Sequence, residues 1–274
     1  MLVTLPPLRV EIRVRRPRKV ADKTVDELEG SLTTSEPQSL RAVPRSREAR
    51  RSVDRRTVMS WIPIDELSSR LPIPHGYRAE QLKRSDIPEL IRCFKVWFPD
   101  ITVGAENCYQ REDFYNREVS LEGELERDVI VFLIKKDQEL VAMASLQRFE
   151  DTRTLYGRIG AIAPRYRGEK LAYLGPALLE AMGRAMGMEI IYALAEFTIP
   201  NAQIVFERAG FQIVGIVPAS DRLMVAPGVI KRVYEAMYVK VLAADADVLR
   251  PQAESMTPRT KALYDFLFEG QGFE

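Results

Sequence analysis

One change of period constrains this chain more than any other feature. Thr154 to Ala163 reads as a strand. Leu171, Leu174, Leu178, Met182 and Met186 then recur at helical spacing, Gly187 ends that run, and Ile190 to Ala195 is again a short apolar strand. A strand, a helix and a strand in this order predict a crossover whose two strands lie parallel in one sheet. Upstream, Val129 to Lys135 and Leu140 to Phe149 read as strands, with Asp137-Gln138 between them and Glu150-Asp151 before the third. Links that short predict antiparallel neighbours. Downstream, Pro200 opens a helix with Ala202, Val205, Phe206 and Ala209 on its inner face, and Gly210 caps it. Phe211 to Val217 and Val233 to Val241 follow as strands. The expectation is an α/β (α+β) fold: a mixed sheet of about seven strands, antiparallel first and parallel in its second half, with about four flanking helices.

The regions around this frame are less regular. Ser85 to Glu89 is a helix start, with Asp86 as cap, Pro88 in the first turn and Glu89 closing a capping box. Leu90, Ile91, Phe94 and Trp97 continue it to Pro99. Residues 104–127 are acidic and mixed, and predict a second, irregular helix carrying Tyr109, Phe114 and Tyr115. Thr257-Pro258 is a cap and first-turn pair opening a final helix, with Leu263, Phe266 and Leu267 on the side expected to dock on its own domain or to belong to a dimer contact.

Residues 1–58 hold 14 Lys or Arg and 8 Asp or Glu with no aromatic residue, so they cannot offset the entropy of ordering and read as a disordered basic tail. The division expected is a tail at 1–58, a linker at 59–76, one domain at 77–242, and an extension at 243–274 with a short helix.

Composition removes several classes of function. Lys plus Arg is 40 against 39 Asp plus Glu, so neither a nucleic-acid nor a membrane-surface partner is indicated. A single histidine, His75, excludes poly-histidine zinc sites, and no metal is expected. Two cysteines, Cys93 and Cys108, make no disulfide scaffold and suggest a reducing compartment. With no apolar run long enough to span a bilayer and no apolar signal core, the expected location is cytoplasmic.

The chemistry concentrates at Ala163-Pro164-Arg165-Tyr166-Arg167-Gly168-Glu169-Lys170-Leu171-Ala172, a basic, glycine-containing turn between a strand and a long helix. Unpaired amides at a helix start, with the positive end of its dipole, form an anion site suited to a pyrophosphate, and Arg165, Arg167 and Lys170 add full charges. An Arg-rich surface turn that binds nothing fits this stretch equally well.

Over residues 77–242 the chain resembles the GNAT superfamily of N-acetyltransferases. The resemblance rests on Ile162-Ala163-Pro164 followed by Arg167-Gly168-Glu169-Lys170-Leu171-Ala172. A second element, Glu196 to Asn201 leading into Ala202-Gln203-Ile204-Val205-Phe206-Glu207-Arg208-Ala209-Gly210-Phe211, follows in the expected order. It implies a centrally splayed sheet, acetyl-coenzyme A as donor, and transfer to an amine on a small molecule or a protein. By this likeness the main chain of Ala161 and Ile162 holds the pantetheine arm. The amides of Gly168, Glu169, Lys170, Leu171, Ala172 and Tyr173 hold the pyrophosphate, beside Arg167, with Asn201 and Phe206 facing the donor. Glu196, at a strand end, is the expected base for the attacking amine. Three departures stand out. Lys170 replaces a family glycine, Pro176 falls inside the expected helix and predicts a late start or a bend, and Phe206 stands where many members have a proton-donating tyrosine. The competing readings are a catalytically silent module of the same fold and an enzyme using a longer acyl donor.

Overall fold

The computed structural model describes residues 59–268; the basic segment 1–58, read above as a tail, lies outside them. Eight strands form one sheet: β1 (Tyr77–Gln81), β2 (Val119–Ser120), β3 (Val129–Lys136), β4 (Glu139–Phe149), β5 (Thr154–Ile162), β6 (Ile190–Glu196), β7 (Gln212–Ala226) and β8 (Val229–Val241). Their order is β1-β3-β4-β5-β6-β8-β7, with two-residue β2 beside β3. The helices are α1 (Ile64–Leu67), α2 (Ile87–Trp97), α3 (Glu112–Glu118), α4 (Leu174–Ala185), α5 (Asn201–Arg208) and α6 (Pro258–Phe268).

The mixed sheet is as expected, and the crossover through α4 makes β5 and β6 parallel. The expectation of a parallel second half is corrected beyond that pair, because β8 lies antiparallel between β6 and β7. The β7–β8 hairpin is much longer than the apolar runs suggested. Exposed polar residues such as Arg222, Lys231 and Arg232 continue both strands. Hairpin pairing sustains them where burial does not.

Two layers cover the sheet. On one face α1 and α4 pack on Ile130, Leu146, Leu155 and Ile191. On the other, α2 and α3 pack on Val129, Val131, Leu133 and Met143. The stretch 59–76, expected as a linker, joins the first layer: Trp61, Ile64 and Leu67 are buried in it, and Trp61 Nε1 donates to the Arg127 carbonyl at 2.7 Å. Trp61 with two apolar side chains of the short α1 buries enough surface to order a segment that punctuation alone reads as a connection.

Details at helix ends also differ. Asp86 makes no cap bond to α2. Its carboxylate instead accepts from the Lys83 amide at 3.4 Å and from Lys135 Nζ at 3.3 Å, within a short 3₁₀ turn that precedes the helix. The irregular helix of 104–127 resolves into a 3₁₀ turn (Ala105–Gln110), α3 and β2. Pro176 sits in the first turn of α4, which starts late, at Leu174, where a missing N–H costs nothing. Thr257 Oγ1 caps α6 by accepting from the Thr260 amide at 3.2 Å. That helix sets Tyr264, Leu267 and Phe268 partly inward and leaves Leu263 and Phe266 exposed, correcting the side on which it docks.

One feature of the sheet positions everything functional. β5 and β6 pair only from Thr154↔Ile190 to Gly157↔Ala193, yet β5 runs on to Ile162 and β6 to Glu196. The strands are held together at one end, where Gly157 lets Leu179 of α4 approach and Gly183 lets α4 lie against Ile191. Beyond Gly157 they splay apart. A bulge opposite Ser145–Leu146 makes Arg158 an extra residue on β5 at the point of divergence.

Candidate active site

The splay leaves the main chain of Ile159 to Ile162 paired to β4 on one side and unpaired on the other. Buried peptide groups require partners. An extended ligand with amide groups, laid in the wedge, would supply them. Ala161 and Ile162 lie on this open edge, registered with Met143 and Ala142 on β4.

The strand ends in the basic turn at the head of α4. Its backbone bonds use the amides of Tyr166, Arg167, Glu169 and Tyr173. Those of Gly168, Lys170, Leu171 and Ala172 have no backbone acceptor among the described residues. Gly168 (φ +100°) has open space where a Cβ would stand, and Gly168 to Lys170 are exposed. Lys170 takes the left-handed conformation at φ 62°, the backbone a glycine would adopt, so the substitution alters the side chain and leaves the turn's shape intact.

The turn's charges are deployed differently from expectation. Arg165 pairs with Glu139 rather than standing free. Arg167 reaches back to the carbonyls of Ile162 (3.3 Å) and Trp97 (3.5 Å) and lies over Phe98, docking the turn on the end of β5. Glu169 is held by the Tyr77 hydroxyl and Lys136 Nζ.

Phe206 does not face an open cleft. It stacks on Tyr238 at 5.6 Å between ring centroids and meets Phe211 edge-on at 5.2 Å, a packing role on the α5 face of the sheet. Asn201, exposed, is the first residue of α5.

On the opposite face, at the mouth of the splay, carboxylates gather. Register sets them there: Glu196 pairs with Glu235, and Asp221 pairs with Val233, two residues from Glu235. Cross-strand partners and residues two apart share a face, so Glu196, Glu235 and Asp221 emerge on one side with Tyr192 and its neighbour Tyr156. These two rings stack at 4.7 Å. A bulge at residues 218–220, with Ala219 at φ 54°, swings Asp221 back toward the sheet. There it accepts from the Ala105 amide at 3.0 Å. Glu106 completes the group. Carboxylate oxygens of Glu106, Glu196 and Asp221 all lie within 4.8 Å of one another.

Crowded carboxylates cannot all ionise. Burial, then a hydrogen bond to Asp221 and its charge, push Glu106 up to about 8, so at neutral pH it holds a proton. Burial also raises Glu196, against a bond from the Thr198 hydroxyl at 3.1 Å. Glu235 is raised by burial as well, against the bond it accepts from Ser220 Oγ. A strand-end carboxylate shifted toward neutrality has the proton affinity a general base requires.

The sign of the Glu106 shift makes a prediction. Folded Glu106 keeps its proton to about 8 against an ordinary 4.5, so the folded chain binds more protons between those values and stability must fall as pH rises through them. The melting temperature should therefore drop from pH 5 to pH 8, and drop less in Glu106→Gln. An equal drop in both proteins would place the proton elsewhere.

Sequence reasoning named Glu196 and the turn as candidates but not Glu106, Asp221, Glu235 or Arg158. Two of these carried a signal. Arg158 interrupts the apolar run of β5 and Glu235 that of β8, where a charge needs a reason. Nothing local marks Glu106 or Asp221.

A sheet splayed at one parallel pair, an open strand edge and an amide-rich turn at the head of the crossover helix together define the GNAT acetyltransferase fold. A solved structure shares it. A mutant of the spermidine N-acetyltransferase of Vibrio cholerae superposes with a TM-score of 0.50 at 14% identity, over 61% of this chain and 95% of that one. The ribosomal L7/L12 alpha-N-protein acetyltransferase in complex with coenzyme A is also similar, with a TM-score of 0.48 at 13% identity over 64% of this chain and 99% of the other. No family model and no curated protein matches the sequence. At such identities the likeness speaks to the fold. No helix of the described residues is long and apolar enough to cross a membrane.

Proposed function

We propose that this protein is an N-acetyltransferase that uses acetyl-coenzyme A and acetylates a cationic amine, with Glu196 as general base. The observation that carries the reading is the set of amides at Gly168, Lys170, Leu171 and Ala172 that have no backbone acceptor among the described residues, heading α4 and continuous with the open edge of β5; all but the buried Leu171 belong to exposed residues. The residues fit such a donor in three respects. The β5 edge from Arg158 to Ile162 offers peptide groups to an amide-bearing arm, the turn offers amides and a helix dipole to a diphosphate, and Lys170 adds a cation with no ion pair among the described residues. The bound donor would supply an activated acetyl group as a thioester.

The rest falls to this chain. An amine arrives protonated, and the Glu196–Asp221 end of the site attracts that charge. To attack, the amine must lose a proton, and Glu196 stands at the mouth of the splay to receive it directly or through one water. As the N–C bond forms and the C–S bond breaks, the first proton rests on Glu196, the second proton shed by the acylated nitrogen passes to water, and the sulfur leaves as thiolate. Phe206 has no proton to give, so the departing sulfur must take one from water or leave as the anion. Holding amine and thioester together in the wedge supplies much of the acceleration.

Calorimetric titration with acetyl-coenzyme A tests the reading, and absence of binding would remove it. Arg167→Glu should weaken that binding by at least about tenfold. It reverses a charge beside the turn and breaks the bonds to the Ile162 and Trp97 carbonyls that seat it. Unchanged affinity would make the turn a solvated basic loop. Binding without thiol release across a panel of amines would favour a silent module of the same fold.

A further inference from the structure

The unusual charge in this site is positive. Arg158 is the extra residue of the β5 bulge, and its guanidinium is half-buried on the acceptor face. Nε donates to the Tyr109 hydroxyl at 3.0 Å, one Nη to Gln147 Oε1, and the other only reaches Cys108 Sγ at 3.9 Å. Its plane lies over Phe114 at 5.7 Å. Among the described residues no carboxylate pairs with it. Arg148 on β4 shows what this chain does with a cation it intends to neutralise: Glu126, Asp128 and Glu150 all lie within ion-pair distance. A guanidinium has five N–H donors, and two of those on Arg158 have no partner while a third has only sulfur. Withdrawing such a charge from water without a counter-ion is costly, so its arrangement is that of a receptor for an anion. The stacked Tyr156–Tyr192 pair forms the floor beside it. Tyr156 feels Arg158 together with Glu235 and Glu106, which places both signs of charge around one aromatic surface.

We infer that the acceptor carries a carboxylate as well as its amine: Arg158 binds the carboxylate of a small amino-acid substrate whose ammonium faces Glu196 and Asp221. The inference rests on the acetyltransferase reading for the use of the amine, but the binding it describes stands without it. A planar guanidinium with free N–H groups on one side can take a carboxylate in the bidentate manner. The separation of positive and negative groups across the tyrosine floor then orients the amine toward the base. Arg158 is in this sense a specificity-determining residue.

Matched ligands test it. L-Lysine against cadaverine and L-ornithine against putrescine differ only in the carboxylate, and a wider panel sets the common L-amino acids against their decarboxylated amines. Titrated calorimetrically into the full-length protein with coenzyme A present, the carboxylate-bearing member of at least one pair should bind about 10–100-fold tighter. Arg158→Gln should bring that ratio to about one, and Arg158→Lys should keep part of it. Equal or tighter binding of the decarboxylated members throughout overturns the inference with the wild-type protein alone, as does an unaltered ratio in Arg158→Gln. Thiol release with the same ligands reads the chemistry separately. Carboxylate-dependent binding without release would sink the transferase reading and leave the Arg158 site standing, whereas acetylation confined to the decarboxylated amines would do the reverse.

Discussion

Glu196→Gln should lower kcat/KM for amine acetylation by about 10²–10⁴-fold, the range a positioned general base commands. The affinity for acetyl-coenzyme A should change little, because the amides and cations read as its site lie on β5 and the α4 turn. The replacement is nearly isosteric, and the bond from Gln203 Nε2 to the Glu196 carbonyl at 3.1 Å does not involve the side chain. The loss should fall on kcat. A neutral amide could still accept a hydrogen bond from an ammonium, but it cannot take a proton at neutral pH. The pH profile separates a base from a charge that merely attracts substrate. In the wild type kcat/KM should rise with pH through a carboxylate-like value lifted by burial, and Glu196→Gln should lose that limb. A rise in KM alone, with the limb retained, would reassign proton transfer to Glu235 or to water.

The second large effect belongs to a residue with no side chain. Gly104 sits at φ 87°, ψ −175°, backbone that only glycine adopts without strain, and it presses against the β7 strand. A Cβ there would overlap the Arg222 carbonyl oxygen and stand 2.9 Å from Asp221 Oδ1. Gly104→Ala should therefore cost about 3 kcal/mol or more, strain and steric overlap acting together. For a domain of this size that means a fall in Tm of roughly 6–12 °C. The contact also ties the Ala105 amide to Asp221, so the variant should lose acetylation activity at temperatures where it is still folded. Ala at position 168, where a Cβ meets nothing, is the informative control for glycine conformation without the clash. A Gly104→Ala protein with wild-type melting and kinetics would show that the hairpin and the 101–105 loop do not hold the carboxylates in place.

The order of elements was legible because hydrophobic period is a local property. Alternation over Val233 to Val241 and three-to-four spacing from Leu171 to Met186 are written within single segments, and short polar links leave few ways to connect the strands upstream. The basic turn was legible for the same reason: a proline, a glycine and cations between a strand and a helix are contiguous. The reach of the β7–β8 hairpin was not, since ladder bonds between two exposed strands leave no apolar signature. Trp61, Ile64 and Leu67 were passed over because a four-residue helix is too short to show a period.

By itself, then, the chain order determined a mixed sheet, one crossover, an amide-lined turn and a carboxylate at a strand end. Only the tertiary structure decided the charged cluster at the mouth of the splay. Glu106, Asp221, Glu235 and Arg158 stand up to 129 positions apart along the chain, and they meet through strand register, two bulges and a glycine contact. Coulomb interactions and proton sharing depend on distance in space, which sequence separation does not encode. A carboxyl group that holds its proton to about pH 8, and a guanidinium that no carboxylate pairs with among the described residues, exist as such only once the sheet has closed around them.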